Sequence, residues 1–216
     1  MTSSSISSVA WPKLKRNLVA ILRGVRPDEI EAIVDALVEA GFEAIEVPLN
    51  SPDPFVSIEK ARRLAPASCL IGAGTVLDVA NVDRLADVGG NLLVTPNVEP
   101  DVIRRAVDHG MVTMPGVFTA TEALLAAKSG AAALKFFPAS ALGAQGISAI
   151  RAILPPTLPI GAVGGVSETD FAAYLKVGVT CFGLGSSLYK PGYDARAVAE
   201  RAIKTVAAYD ETVAGA

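Results

Sequence analysis

Eight short apolar runs alternate with helix-spaced segments along this chain, and no long linker separates any of them. The runs occupy residues 18–22, 44–48, 70–73, 92–96, 112–115, 132–136, 159–163 and 179–183. Strands that are apolar on both faces belong to parallel sheets covered by helices. Such strands, each followed by a helix, predict an α/β fold of the (β/α)8 TIM-barrel type. An open doubly wound sheet is the alternative. It usually has fewer strands and carries a glycine-rich phosphate loop after the first of them, which Leu22-Arg23-Gly24-Val25 does not supply.

The helical segments are predicted from spacing. Ile30, Ile33, Val34, Leu37 and Val38 recur on one face, Pro27-Asp28-Glu29 suits a first turn, and Gly41 ends the run. Further helices are expected near residues 58–64, 79–88, 102–107, 121–127, 147–153, 170–175 and 195–209. Residues 1–10 are Ser-rich and read as a flexible leader rather than a signal peptide. Residues 11–216 are then one barrel domain, in which 11–16 form a short N-terminal helix closing the lower end with Trp11 as an apolar cap.

Composition removes several function classes. A net charge of -3 provides no basic field for nucleic acid. No run of 18 or more apolar residues suggests a membrane span. Cys69 and Cys181 sit far apart in apolar runs, as expected of reduced core cysteines in a cytoplasmic protein. No His, Cys and carboxylate cluster has metal spacing, and CxxC, GxGxxG and GxSxG are all absent, so no metal, nicotinamide cofactor or serine nucleophile is expected.

In a barrel of this kind the strand C-termini share one face, and the chain order assembles a candidate site there. Lys135 ends the run Ala131-Ala132-Ala133-Leu134 and precedes Phe136-Phe137-Pro138. A lysine at a strand mouth can reach a pocket while its stem stays packed. An ordinary lysine amine is only ~0.1% neutral near pH 7.5, and burial among apolar groups raises that fraction and with it nucleophilicity. Glu46 interrupts a strand that should be uniformly apolar, which suits a proton shuttle; a salt bridge to Lys135 or Arg23 is the structural alternative. Gly164-Gly165 and Gly185-Ser186-Ser187 follow the last two runs, where barrels commonly hold phosphate. Either Ser186 or Ser187 could add a hydroxyl. Thr75, in Gly72-Ala73-Gly74-Thr75-Val76, fits a carboxylate ligand and a helix cap equally. Asn50 lies in a turn and could bind a substrate hydroxyl. Taken without further comparison, these residues serve a covalent aldolase, a phosphate-binding isomerase or epimerase, or a sugar-phosphate binding protein.

The combination resembles the class I aldolases of 2-keto-3-deoxy-6-phosphosugar acids. It is carried by residues 19–24 (VAILRG), 46–52 (EVPLNSP), 72–76 (GAGTV), 94–97 (VTPN), 115–116 (PG), 134–139 (LKFFPA), 163–166 (VGGV) and 183–186 (GLGS). The resemblance implies Schiff-base chemistry on Lys135, with Glu46 as general acid and base. Arg23, Thr75 and Pro96 would lie at the keto-acid end of the substrate, and Gly164, Gly165 and Ser186 would hold its phosphate. The gluconate branch of this family typically carries an arginine shortly after the glutamate and a threonine before the phosphate-loop glycines. Asn50, or its neighbour Leu49, and Val163 stand there instead. The resemblance therefore implies 2-dehydro-3-deoxy-6-phosphogalactonate as substrate, with the 6-phosphogluconate epimer as the alternative. It also implies a homotrimer working without a cofactor.

Overall fold

A computed structural model describes residues 8–215. The strands and helices alternate as β1 (Leu18–Ile21), α1 (Ile30–Ala40), β2 (Ala44–Pro48), α2 (Pro54–Leu64), β3 (Leu70–Gly74), α3 (Val79–Asp87), β4 (Leu92–Val94) and α4 (Pro100–Asp108). There follow β5 (Val112–Met114), β6 (Gly116–Val117), α5 (Ala120–Lys128), β7 (Leu134–Phe136), α6 (Ala139–Arg151), β8 (Ile160–Val163), α7 (Phe171–Leu175), β9 (Cys181–Leu184) and α8 (Ala195–Ala214). Every strand pairing is parallel, in the order β5-β4-β3-β2-β1-β9-β8-β7-β6. The barrel predicted from the alternation is the fold observed.

The fifth run supplies two strands rather than one. Pro115 has no amide to donate, and it divides β5, which pairs with β4, from β6, which pairs with β7. The amides of Ala132 and Ala133 donate to Thr113 O, and that of Lys135 to Pro115 O, so the ring closes around this break.

Two apolar cores result from strand alternation. Val19, Ala44, Leu70, Leu92, Val112, Met114, Ala133, Val163 and Cys181 point into the barrel. Leu18, Ile45, Ile71, Leu93, Leu134, Phe136, Ile160 and Phe182 point out and pack under the helices, where Ile30, Ile33, Val34 and Leu37 of α1 meet them. Gly41 ends α1 at φ 102°, and its amide bonds back to Leu37 and Val38.

Residues 11–16 do not form the expected N-terminal helix. Six residues with a proline near their start are too few to repay helix nucleation. Their amides find other partners: Lys15 and Arg16 donate to the Glu43 carboxylate, at 2.6 and 3.3 Å. Trp11 Nε1 donates to Asn17 Oδ1 at 3.0 Å, and Trp11, Val9 and Leu14 pack on the barrel interior. Trp11 therefore closes the lower end from an irregular segment, turned where the Leu14 amide bonds Pro12 O at 3.0 Å. Arg16 forks onto Asp210 of α8 with bonds of 2.7 and 2.6 Å, tying this segment to the last helix. Residues 1–7 of the expected leader lie outside the described residues. The other local departure is α6, which begins directly after Pro138, earlier than spacing predicts, and is kinked at Gly143 (φ 70°, ψ 166°).

Candidate active site

At the C-terminal mouth the inward positions alternate between large side chains and glycine. Ile21 and Arg23 follow from β1 and Glu46 from β2, whereas β3 presents Gly72 and Gly74. Further round, Lys135 and Phe137 follow from β7, Val163 and Gly165 from β8, and Gly183 and Gly185 from β9. Bulky groups beside missing side chains leave a pocket of about 530 Å³, open solvent at its mouth included. Lys135, Glu46, Arg23, Val163, Gly164, Gly165 and Ser186 line it together, with Ile21, Phe137, Val166, Gly183 and Gly185.

Lys135 and Glu46 are both buried, at 5% and 2% exposure. Taking an ionised group out of water favours its neutral form. Burial accordingly pushes the Lys135 amine below its ordinary value; Arg23 pushes it further down, while Glu46 opposes both. Burial likewise pushes the Glu46 carboxyl up, against the pull of Lys135 and Arg23. No ion pair within 4.0 Å joins the two groups, nor Glu46 to Arg23, among the described residues. Both salt-bridge alternatives therefore fail. Glu46 Oε2 is buried with no protein hydrogen-bond partner, and the Lys135 amine lies 4.8 Å from the centre of the Phe137 ring. Phe136 turns outward into the helix layer, so the two phenylalanines divide between the cores.

Arg23 is exposed at the rim, where its guanidinium bonds to Asn50 Oδ1. Asn50 thus joins the site through Arg23, whereas Leu49 turns outward against the helix-layer core. Thr75 and Pro96 lie outside the pocket wall. Thr75 has φ 57°, a conformation rare for a β-branched residue, and the cap of α3 is Asp78, whose carboxylate accepts from the Asn81 amide. The helix-cap reading of Thr75 is thereby excluded. Pro96 backs onto the face of Gly116, where a side chain would meet its carbonyl at 2.5 Å.

Gly164 and Gly165 take φ values of 90° and 71°, which only glycine adopts readily. Side chains there would also strike Phe137 and Ser140, at 3.0 and 2.4 Å, because the turn into α6 packs against the pair. Of the two candidate serines, Ser186 lines the pocket; the Ser187 hydroxyl instead donates to Val166 O at 3.2 Å. Ile21 and Val166 extend the wall beyond the site residues singled out from sequence. The inward parity of β1 is the signal for Ile21.

A buried amine whose neutral form is favoured by burial, beside a buried carboxyl with an unpartnered oxygen, can form an imine and then move a proton at the neighbouring carbon. No group of three or more His, Cys, Asp or Glu among the described residues could hold a metal ion.

The profile of the family "KDPG and KHG aldolase" matches residues 12–203. The probable 2-dehydro-3-deoxy-6-phosphogalactonate aldolase of Rhizobium meliloti (strain 1021) is 66% identical over 96% of this chain and 98% of its own. The 2-dehydro-3-deoxy-6-phosphogalactonate aldolase of Escherichia coli (strain K12) is 48% identical over 92% of this chain and 97% of its own. A solved structure, "Native KDPGal structure", superposes with a TM-score of 0.92 at 47% identity, covering 95% of this chain and 99% of that one. A lysine-bearing barrel with this agreement along nearly its whole length leaves one assignment: the chain belongs to the KDPG and KHG aldolase family and is a class I aldolase.

Proposed function

We propose that the chain, with residues 11–216 as one barrel domain, reversibly cleaves 2-dehydro-3-deoxy-6-phosphogalactonate to pyruvate and D-glyceraldehyde 3-phosphate. The observation that carries this reading is the Lys135 amine, buried in the pocket wall with Glu46 in the same wall and a left-handed glycine pair at the end of the neighbouring strand. The neutral amine adds to the C2 carbonyl, and the carbinolamine takes up a proton from solvent and loses water to give a protonated imine. That proton returns to solvent at the final hydrolysis. Glu46 takes the C4 hydroxyl proton as the C3–C4 bond breaks, and its electron pair moves into the iminium to give an enamine. The aldehyde leaves. Glu46 returns the proton to C3, and hydrolysis releases pyruvate and the free amine.

Arg23, with Thr75 and Pro96 from beyond the pocket wall, binds the keto-acid end in this scheme, while Gly164, Gly165 and Ser186 bind the phosphate. Two relatives at 66% and 48% identity that carry the phosphogalactonate name support the choice of C4 epimer. So do Val163, which packs over Gly183, and Asn50, which is bonded to Arg23. Cleavage of the two C4 epimers by the purified protein tests reaction and substrate together. The expected result is a preference in kcat/KM of about 10²-fold or more for the galactonate epimer. Equal or inverted rates would move the assignment to 2-dehydro-3-deoxy-6-phosphogluconate, and absence of pyruvate with both would remove it.

A cytoplasmic homotrimer is part of the proposal. Leu124 and Leu125 of α5 and Ile153 beyond α6 are exposed at 37%, 40% and 52%, and this apolar surface suits contact with another copy. No helix among the described residues is long and apolar enough to cross a membrane. Light scattering should give three times the chain mass; a monomer mass would refute this part.

A further inference from the structure

We infer that Gly74 is a positioning residue for the Glu46 carboxylate, which occupies the space that any other residue at position 74 would fill with its side chain. A Cβ built on Gly74 would stand 1.3 Å from Glu46 Oε2, 2.4 Å from its Cδ and 3.0 Å from Oε1. The carboxylate therefore points Oε2 end-on into the space where a side chain of residue 74 would begin. Oε2, the nearest atom, is the one that is buried without a hydrogen-bond partner. What holds the group in place is a shape, not a bond.

The register explains why the contact forms. Glu46 pairs with Gly72 across β2 and β3, and Pro48 with Gly74, so Gly74 stands one inward position nearer the mouth. A glutamate inward from β2 can lean only toward that mouth, because the inward layer below it is filled by Ala44 and Leu70. The other inward glycines serve different ends. A Cβ on Gly72 would meet the Leu92 carbonyl at 1.8 Å, which is strand packing, and one on Gly183 would meet Val163. Only Gly74 is occluded by the carboxylate that faces Lys135.

The obstruction at Gly74 is the far end of a flexible side chain, and Gly74 itself does not have a left-handed φ. A methyl there is accommodated by swinging Glu46 away, so Gly74→Ala should fold and misplace the carboxylate. The inference rests on Glu46 being the proton-transfer group of the aldolase reaction, and the test separates the two. Cleavage kcat and borohydride trapping of pyruvate on Lys135 are measured for Gly74→Ala, Glu46→Gln and the double variant. Gly74→Ala is expected to lose about 30-fold or more in kcat while trapping stays within about threefold of wild type. In the Glu46→Gln background the same substitution should lower kcat by less than about threefold.

A Gly74→Ala enzyme within about threefold of wild-type kcat, or an equal loss in both backgrounds, would overturn the inference. Thermal melting provides an arm that needs no activity. Gly74→Ala should lower Tm with Glu46 present and raise it in a Glu46→Ala background, where the methyl enters vacated space and the chain gains the usual benefit of Gly→Ala. A lower Tm in both backgrounds would overturn the seating. Wild-type protein that traps no pyruvate would instead defeat the aldolase reading, and the seat would then be decided by melting alone.

Discussion

Lys135→Ala should eliminate cleavage, lowering kcat/KM by at least about 10⁴-fold, because no other amine lines the pocket to replace the covalent step. Arg23 is the only other basic residue in that wall, and a guanidinium does not replace an amine as a carbonyl nucleophile. The fold should survive. Lys135 is held in the sheet by its backbone, whose amide bonds Pro115 O at 2.9 Å, and its amine has no protein hydrogen bond or ion pair to lose. Two readouts check the result: cleavage in a coupled pyruvate assay, and mass spectrometry after borohydride with pyruvate, which should find the adduct on wild type and none on the variant. Circular dichroism guards against simple unfolding. Cleavage retained within about tenfold of wild type would sink the assignment of Lys135.

Glu46→Gln should separate proton transfer from imine formation. Loss of a positioned general acid and base lowers kcat by about 10²- to 10⁴-fold, while pyruvate should still be trapped on Lys135. The pH profile supplies the sharper test. Glu46 must be ionised to accept the C4 hydroxyl proton, and burial raises its carboxyl above the ordinary 4.5. Wild-type activity should therefore fall on acidification at a pH above that of an exposed carboxylate. The Gln variant should lose this limb. At the alkaline end, the depressed Lys135 amine keeps its neutral form available well below the ordinary 10.5. An acid limb unchanged in Glu46→Gln would assign it to some other group.

Much of this architecture is legible in the sequence. The strand runs are read by their apolar character, and their C-terminal ends converge whatever their exact limits, so Lys135 and Glu46 meet as soon as the barrel is recognised. Side-chain parity then sends Phe136 outward and Phe137 inward. Contacts between loops were less legible. Nothing local distinguishes Ser186 from Ser187; only the partnership of Ser187 with Val166, from another strand's loop, does so. Segment 11–16 carries no internal sign that Glu43 will take its amides. Pro115 reads as the end of one strand, but around a closed ring it also begins the next. The seat of Glu46 on Gly74 likewise depends on register between two strands, which neither strand's sequence specifies alone.

The clasp between Arg16 and Asp210 has a topological consequence. β1 pairs with β9, and the chain just before the first strand is fastened to the last helix, so the two ends of the described fold meet at the floor. A ring has no privileged first member. A linker from the end of α8 to the segment before Trp11, with new ends opened at the exposed His109-Gly110 turn, would preserve every strand neighbour and every residue at the mouth. The order in which the gene writes the barrel is, for its chemistry, a matter of convention.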